Sequence, residues 1–212
     1  MPSERQPDLR HEYALRAQGH RFIAGVDEVG RGSLAGPVVA AAVILPLDRP
    51  ELQSILDGVR DSKKVTAAQR TRLDTVIRET AIAAGIGFVP RSVIDSRGIA
   101  AASRLAMHRA IASLAMRPDA LLIDAFALKR TIIPQLAFPR ADETSLSVAA
   151  ASILAKVRRD RWMTACGRRF PQYGFERHMG YGTQEHRDAL QRNGPCALHR
   201  LSFAPVAMCD QS

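Results

Sequence analysis

The chain has 212 residues, 46% hydrophobic and 24% charged, which excludes a disordered or fibrous protein. Its net charge of +9 indicates a polyanionic partner such as nucleic acid, because lysines and arginines that neutralise phosphates release counterions. Three cysteines without a CxxC pair exclude a disulfide framework. No apolar stretch suits a signal peptide or a membrane span, so we expect no membrane partner and a cytoplasmic protein, by default a monomer.

Alternating strand and helix patterns predict one α/β core. Two segments rich in valine and isoleucine, 22–29 and 36–45, predict an antiparallel pair joined by a glycine-rich connection. The other predicted strands are 81–89, 120–124 and 131–138. The predicted helices are 65–81, where Thr66 and Gln69 form a capping-box pattern, 99–116, 145–166 and 184–192.

Two adjacent acids, Asp27 and Glu28, interrupt the apolar run of the first strand. Side chains of a regular strand alternate between its faces, so these two can converge only if the strand ends or bulges there. Gly30 and Gly32 provide the backbone freedom for either. A salt bridge, a turn or a helix cap explains a single acid, but none of these explains a pair inside an apolar run.

Two further acids occupy comparable positions. Asp124 ends the buried run 120–124, and Asp142 precedes the long helix. Ends of buried strands in α/β sheets are places where ligands bind. Four carboxylates brought together would repel one another, and such a cluster persists when cations neutralise it. Hard oxygen ligands suit Mg²⁺ or Mn²⁺, although a turn for Asp124 and a cap for Asp142 are the simpler interpretations of each alone.

Two polar segments have open interpretations. The sequence Gly30-Arg31-Gly32, here called the GRG motif, either turns the chain or presents backbone N–H groups to a sugar or phosphate oxygen. Lys63 and Lys64 either contact the nucleic-acid backbone as substrate-binding residues or belong to a solvated turn.

Histidines and a cysteine near the C-terminus raise the possibility of a zinc site. The residues concerned are His178, His186, Cys196 and His199. Their spacings match no compact zinc pattern. We therefore expect these histidines to form hydrogen bonds within the C-terminal region or to meet phosphates.

Seven segments in chain order, from about residue 22 to 206, resemble ribonuclease HII. They are GVDEVGRGSLAGPVVAAAVIL, DSKK (61–64), LAMHRAI (105–111), LLID (121–124), SLSVAAASILAKVRRDR (145–161), YGFERHMGYGTQEH (173–186) and HRLSF (199–203). The resemblance implies an α/β fold, a ribonuclease H-like mixed five-stranded sheet flanked by helices, with a C-terminal extension of helices and loops. We expect an N-terminal arm or helix over 1–20, the catalytic core over 21–166, and an extension over 167–212 that completes the substrate site.

The resemblance also implies an activity. It implies an endonuclease that hydrolyses the RNA strand of RNA–DNA hybrids and nicks 5′ of ribonucleotides embedded in duplex DNA, leaving 5′-phosphate and 3′-hydroxyl ends. Two Mg²⁺ or Mn²⁺ ions would be bound by Asp27, Glu28, Asp124 and Asp142. The GRG motif would read the ribose 2′-hydroxyl, the group that distinguishes RNA from DNA, and Tyr181 would stack against the neighbouring sugar and base.

The chain departs from the family pattern at four positions near these motifs. The usual residues are proline, glycine, glycine and lysine where this chain has Ser33, Ala125, Ala141 and Met179. Two alternatives remain: a non-catalytic nucleic-acid-binding module, and another nuclease of the superfamily such as a junction resolvase or a ribonuclease HIII-like enzyme. The full set of acids argues against the first alternative, and the GRG motif together with Tyr181 argues against the second.

Overall fold

A computed structural model describes residues 6–209, and five strands within them form one mixed sheet in the order β3-β2-β1-β4-β5. The strands are β1 (Ile23–Val29), β2 (Val38–Ile44), β3 (Ala83–Val89), β4 (Ala120–Asp124) and β5 (Gln135–Phe138). Strand β2 is antiparallel to both β1 and β3, whereas β4 is parallel to both β1 and β5. The mixed five-stranded sheet expected from the sequence is confirmed.

Helices cover both faces of this sheet. The α-helices are α1 (Arg10–Ala17), α2 (Leu52–Ile55), α3 (Ala67–Thr80), α4 (Arg91–Arg97), α5 (Ile99–Ala112), α6 (Leu146–Arg169), α7 (Phe175–His178), α8 (Gln184–Asn193) and α9 (Ala204–Ala207). Short 3-10 turns occupy Ser62–Lys64, Ala141–Glu143 and Pro171–Tyr173. Within residues 6–209, no helix is both long and apolar enough to cross a membrane.

The central strands divide their side chains between two cores. In β2, Val39 and Val43 pack on the α6 face, and Val38 and Ile44 pack on the α5 face. Gly25 of β1 allows α6 to approach closely, because a Cβ atom there would collide with the backbone at the start of that helix. Helix α6 therefore crosses directly over β1, which places its polar side chains beside the end of that strand.

Several helical segments differ from the sequence expectation. The short helices α2, α7 and α9 were not predicted, and α5 ends at Ala112 instead of at residue 116. Helix α4 was not predicted, since it is only seven residues long and buries only Ile94. Gly98, with φ of 74°, separates it from α5. The long helix α6 continues to Arg169, beyond the predicted end at Cys166. The capping box of Thr66 and Gln69 at the start of α3 is confirmed.

The N-terminal segment 1–20, for which a helix and a loose arm were both open, contains helix α1 at Arg10–Ala17, while residues 1–5 lie outside the described part of the chain. Glu12 anchors this helix, because its carboxylate is 1% exposed and lies at the N-terminus of α6. There it accepts hydrogen bonds from the N–H of Ser147 (2.9 Å) and from the hydroxyls of Ser145 (2.7 Å) and Ser147 (2.6 Å). A buried negative charge at a helix N-terminus is stabilised by the helix dipole.

Candidate active site

The parallel neighbours β1 and β4 bring acids together at one end of the sheet. In the parallel register of β1 and β4, the last paired residues are Val26 and Ile123. Asp27 and Asp124 directly follow them. Asp142 approaches from the 3-10 turn that precedes α6. The Asp124 carboxylate accepts a hydrogen bond from the N–H of Ala141 over 2.7 Å, which ties that turn to the end of β4.

Asp27 and Glu28 project from opposite faces of β1. The strand stays in regular register to Val29 and then turns at Gly30, where φ is 89°, so it ends without a bulge. Asp27 lies on the α6 face and is 6% exposed, whereas the Glu28 side chain lies on the other face and is 4% exposed. Both acids reach one cavity because that cavity lies at the end of the strand.

This cavity, of about 570 Å³ and here called the acid cavity, brings together all four predicted acids and the GRG motif. It is lined by Asp27, Glu28, Val29, Gly30, Arg31, Gly32, Ser62, Lys63, Arg70, Asp124, Ala125, Asp142, Ser152, Lys156 and Tyr181. Of the residues predicted to form the site, Lys64 alone is outside this lining. Ser62, Arg70, Ser152 and Lys156 were not predicted; Ser152 and Lys156 lie four residues apart in α6, a spacing that could have indicated them.

Burial and mutual repulsion favour protonation of Asp27, Glu28 and Asp142. Burial raises the pKa of Asp27 well above its ordinary value, and the charges of Glu28 and Asp124 raise it further. Burial also raises the pKa of Glu28, although the Arg31 guanidinium, 3.0 Å from its carboxylate, opposes this shift. The pKa of Asp142 is raised to about 6 by burial and by the charge of Asp124. A bound cation would relieve both burial and repulsion.

The donor chemistry of the acid cavity fits a hard divalent cation. Its four carboxylates supply the oxygen ligands that Mg²⁺ and Mn²⁺ prefer. One oxygen of Glu28, Oε2, is buried without a hydrogen-bond partner in the described part of the chain. As arranged here, no three His, Cys, Asp or Glu side chains of residues 6–209 form a compact ligand group, and protein donors hold Glu28 and Asp124.

The GRG motif runs along the wall of the acid cavity. Gly30 is buried, whereas Arg31 and Gly32 are exposed. A Cβ atom added at Gly32 would meet nothing within 4 Å, so a ligand can approach the backbone closely at this point. The Arg31 guanidinium lies between the Glu28 carboxylate and the ring of Phe126, 5.2 Å from the ring centroid. The motif thus turns the chain and also borders the cavity.

Lys63 supplies positive charge next to the acids. Burial alone would lower the pKa of Lys63, but the negative charges of Asp61, Asp142 and Asp27 outweigh this and raise it. Lys63 therefore stays charged at neutral pH. Lys63 and its neighbour Lys64 are both exposed residues.

Tyr181 is half-buried at the far side of the acid cavity. Its ring is flanked by two cations of α6, since the Lys156 ammonium lies 5.4 Å and the Arg159 guanidinium 5.2 Å from the ring centroid. A second cavity, of about 750 Å³, adjoins the first and shares Arg70, Lys156 and Tyr181 with it. Its remaining charged lining residues are Asp160, Arg161, Arg168, Glu176, Arg177 and His178, a mostly basic set. This larger cavity lacks the acid cluster, so the chemistry is assigned to the acid cavity.

The C-terminal histidines form a buried hydrogen-bonded relay that ends at Tyr181. The N–H of Cys196 donates to Nδ1 of His199 (2.9 Å), so the proton of this imidazole is on Nε2. That Nε2–H donates to Nε2 of His186 (3.0 Å), which leaves Nδ1–H of His186 to donate to the carbonyl of Tyr181 (2.9 Å). One backbone N–H thereby determines two tautomers.

The same geometry leaves no imidazole lone pair of these three histidines for zinc. His178 accepts a hydrogen bond at Nδ1 from Gly180 (3.2 Å) and donates from Nε2 to the carbonyl of Tyr173 (2.7 Å). Every ring nitrogen of the three histidines is therefore engaged within the protein. The expectation of hydrogen bonding within the C-terminal region is confirmed.

Fold and cavity together define a nuclease of ribonuclease H-like architecture. The model of the family described as ribonuclease HII matches residues 24–206. Ribonuclease HII of Roseiflexus castenholzii is 52% identical over 209 residues, which cover 97% of this chain and 91% of that protein. The chain belongs to the ribonuclease HII family, and it is therefore an enzyme, a ribonuclease H that hydrolyses nucleic acid.

Solved structures show the same fold. RNase HII of Archaeoglobus fulgidus, determined in complex with PCNA, is similar with a TM-score of 0.75 and 28% identity, covering 90% of this chain and 98% of that one. Bst-RNase HIII, determined in complex with Mn²⁺, has a TM-score of 0.66 and 22% identity over 90% of this chain and 71% of that one. The second likeness concerns the fold alone.

Proposed function

We propose that this ribonuclease H nicks duplex DNA on the 5′ side of embedded ribonucleotides and cleaves the RNA strand of RNA–DNA hybrids. The observation that carries this proposal is that one cavity is lined by four carboxylates and by the GRG motif. The carboxylates would hold two Mg²⁺ or Mn²⁺ ions, and the GRG motif would select the sugar beside them. Hydrolysis would leave 5′-phosphate and 3′-hydroxyl ends.

Asp27, Glu28, Asp124 and Asp142 are the proposed metal ligands. Two divalent ions in such a site supply an activated water and stabilise the charge on the leaving 3′-oxygen. Glu28 would exchange its ion pair with Arg31 for a metal, since its second oxygen is already without a partner among the described residues. Asp27 is held at the end of a rigid strand, which fixes its position relative to Asp124.

Substrate recognition would come from both sides of the acids. The GRG motif leaves open space at Gly32, where the ribose 2′-hydroxyl can reach backbone N–H groups. Tyr181 offers a half-buried ring opposite, on which the neighbouring sugar and base would stack. Tyr181 belongs to the extension 167–212, which in this proposal completes the substrate site of the core.

Basic side chains around the acids would bind phosphates. Lys63 lies beside the acids, and the adjoining cavity carries Arg161, Arg168 and Arg177. Lys64 would contact the backbone outside the acid cavity. This distribution accords with the net charge of +9 and predicts affinity that falls with salt.

Product mapping on three labelled duplexes tests this proposal. With Mg²⁺ or Mn²⁺, we expect one nick 5′ of a single embedded ribonucleotide, cleavage of the RNA strand of a long hybrid, and no cleavage of all-DNA duplex. Tyr181→Ala is expected to slow cleavage at the single ribonucleotide about tenfold, from the loss of one stacking contact. Tyr13→Ala, at an exposed tyrosine of α1, is the matched control.

The outcomes separate the parts of the proposal. Cleavage of the long hybrid alone would keep the chemistry and contradict the roles of the GRG motif and Tyr181. Equal cleavage of all-DNA duplex would contradict ribose recognition altogether.

A further inference from the structure

Two arginines are fully buried beneath the GRG motif. Arg159 in α6 and Arg200 after α8 are each 0% exposed, although arginine is seldom buried without a carboxylate partner. Among the described residues neither guanidinium forms an ion pair. Both donate to backbone carbonyl groups instead.

Arg200 forms hydrogen bonds with both ends of the loop formed by residues 30–37. Its guanidinium donates to the carbonyl oxygens of Gly30 (2.6 Å), Arg31 (2.8 Å), Gly36 (3.0 Å) and Pro37 (3.2 Å). Arg159 supports the later part of the loop, donating to the carbonyl oxygens of Ala35 (3.1 Å) and Pro37 (3.0 Å). This loop conformation therefore depends on the planar, multidentate fork of a guanidinium.

Because peptide groups are planar, the hydrogen bonds of Arg200 to the loop carbonyls also orient the neighbouring backbone N–H groups. In a trans peptide the C=O and the following N–H point in opposite directions. Because the carbonyls of Gly30 and Arg31 point inward to Arg200, the N–H groups of Arg31 and Gly32 point outward. Arg31 and Gly32 are exposed and line the acid cavity, so two adjacent N–H donors face it.

The buried charge also strengthens these donors. A cation bound to a peptide oxygen polarises the peptide, which makes its N–H a better donor. Burial and repulsion by Arg159 lower the pKa of Arg200 to about 9, so the guanidinium is still charged at neutral pH. A neutral oxygen acceptor in the cavity would thus meet two polarised N–H groups.

We propose that Arg200 is a positioning residue for ribose recognition, which turns the N–H groups of Arg31 and Gly32 toward the acid cavity to donate to the ribose 2′-oxygen. This inference rests on the proposed function of the GRG motif. Arg200 acts through the loop and does not touch the substrate. Its removal therefore affects the choice between ribose and deoxyribose more than general affinity for DNA.

Dissociation constants in EDTA test this role without cleavage. Two duplexes of one sequence are compared, one all DNA and one with a single ribonucleotide, and the ratio of their Kd values is independent of the folded fraction. Arg200→Lys keeps the charge but loses the fork. We expect its preference for the ribonucleotide duplex to fall about tenfold, with the Kd for all-DNA duplex unchanged. Arg192→Lys, at an exposed arginine of α8, is the matched control and is expected to keep the wild-type ratio.

The outcomes distinguish the positioning role of Arg200 from the proposed function of the GRG motif. A wild-type ratio in Arg200→Lys overturns the positioning role. No preference in the wild-type protein overturns the proposed function of the GRG motif and this inference with it. If Arg200→Lys does not fold, Phe203→Leu replaces it, because the Phe203 ring supports the Arg200 guanidinium at 5.1 Å. An unchanged ratio in folded Phe203→Leu, where about threefold loss is expected, also overturns the role.

Discussion

The carboxylate of Asp124 accepts a hydrogen bond from the N–H of Ala141 over 2.7 Å, and this contact joins two of the four acids. It ties the last residue of β4 to the turn that carries Asp142. The turn begins at Arg140, whose φ of 58° reverses the chain. The position of Asp142 therefore depends on Asp124 through the backbone as well as through charge.

Removing one repelling charge is expected to stabilise the protein. Burial and neighbouring acids raise the pKa of Asp27 well above its value in the unfolded chain, so ionisation near neutral pH costs stability. Asp27→Asn is expected to raise the free energy of unfolding at pH 7.5 by about 1 kcal/mol, measured with urea in EDTA. Asp57→Asn, at an exposed acid, is the control and is expected to change nothing. A less stable Asp27→Asn would contradict the repulsion between the acids.

The histidine relay predicts a loss of stability in mild acid. Burial lowers the pKa of His186 and His199 from 6.5 to about 4. Below about pH 6.5 these histidines are protonated in the unfolded chain but stay neutral in the folded chain. The stability that the neutral histidines contribute is therefore complete above pH 6.5 and is lost progressively toward pH 4. Each histidine contributes at most about 3 kcal/mol to this loss.

Comparing wild type with His186→Asn isolates this effect. The asparagine amide keeps a donor for the Tyr181 carbonyl but does not titrate. Asp142, with its pKa raised to about 6, stabilises the folded state as pH falls, and this opposite contribution is common to both proteins. The stability difference between them is expected to shrink from pH 7.5 to pH 5 in urea unfolding. A difference independent of pH would mean that His186 is not held neutral.

Ala125 predicts a simple stabilising substitution. It adopts φ of 67°, a left-handed conformation that disfavours a Cβ atom. Ala125→Gly is expected to raise the free energy of unfolding by about 1 kcal/mol, measured by urea titration. Ala127→Gly, at an exposed alanine two residues away without positive φ, is expected to destabilise slightly. The reverse order would contradict the strain assigned to Ala125.

Glu12 predicts that the N-terminal helix stabilises the core. Glu12→Ala removes three hydrogen bonds and a buried charge at the start of α6, and we expect a loss of about 2 kcal/mol in thermal unfolding. Glu12→Gln keeps an acceptor and is expected to lose less. Glu51→Ala, at an exposed glutamate, is the control. Equal stability of Glu12→Ala and Glu51→Ala would show that α1 contributes nothing through this contact.

Local patterns predicted most of the sheet and the long helices. Strand β2 shows why, since its small and branched side chains suit burial on both faces. The acid pair was predictable because two charges inside an apolar run have few structural explanations. The burial of Arg159 and Arg200 was not predictable, because arginine side chains usually lie at the protein surface. Only the fold shows that these two meet backbone carbonyls. The role of Glu12 depends likewise on a contact between residues more than a hundred positions apart.

Nicking of a DNA duplex with one embedded ribonucleotide, compared between wild type and Asp27→Asn over a Mg²⁺ or Mn²⁺ titration, tests the central claim most directly. The proposed role of Asp27 predicts metal-dependent nicking 5′ of the ribonucleotide by wild type, none in EDTA, and at least about a thousandfold slower nicking by folded Asp27→Asn at every metal concentration. Nicking by Asp27→Asn at the wild-type rate, or full nicking by wild type in EDTA, would contradict the assignment of the acid cavity as a metal-dependent nuclease site.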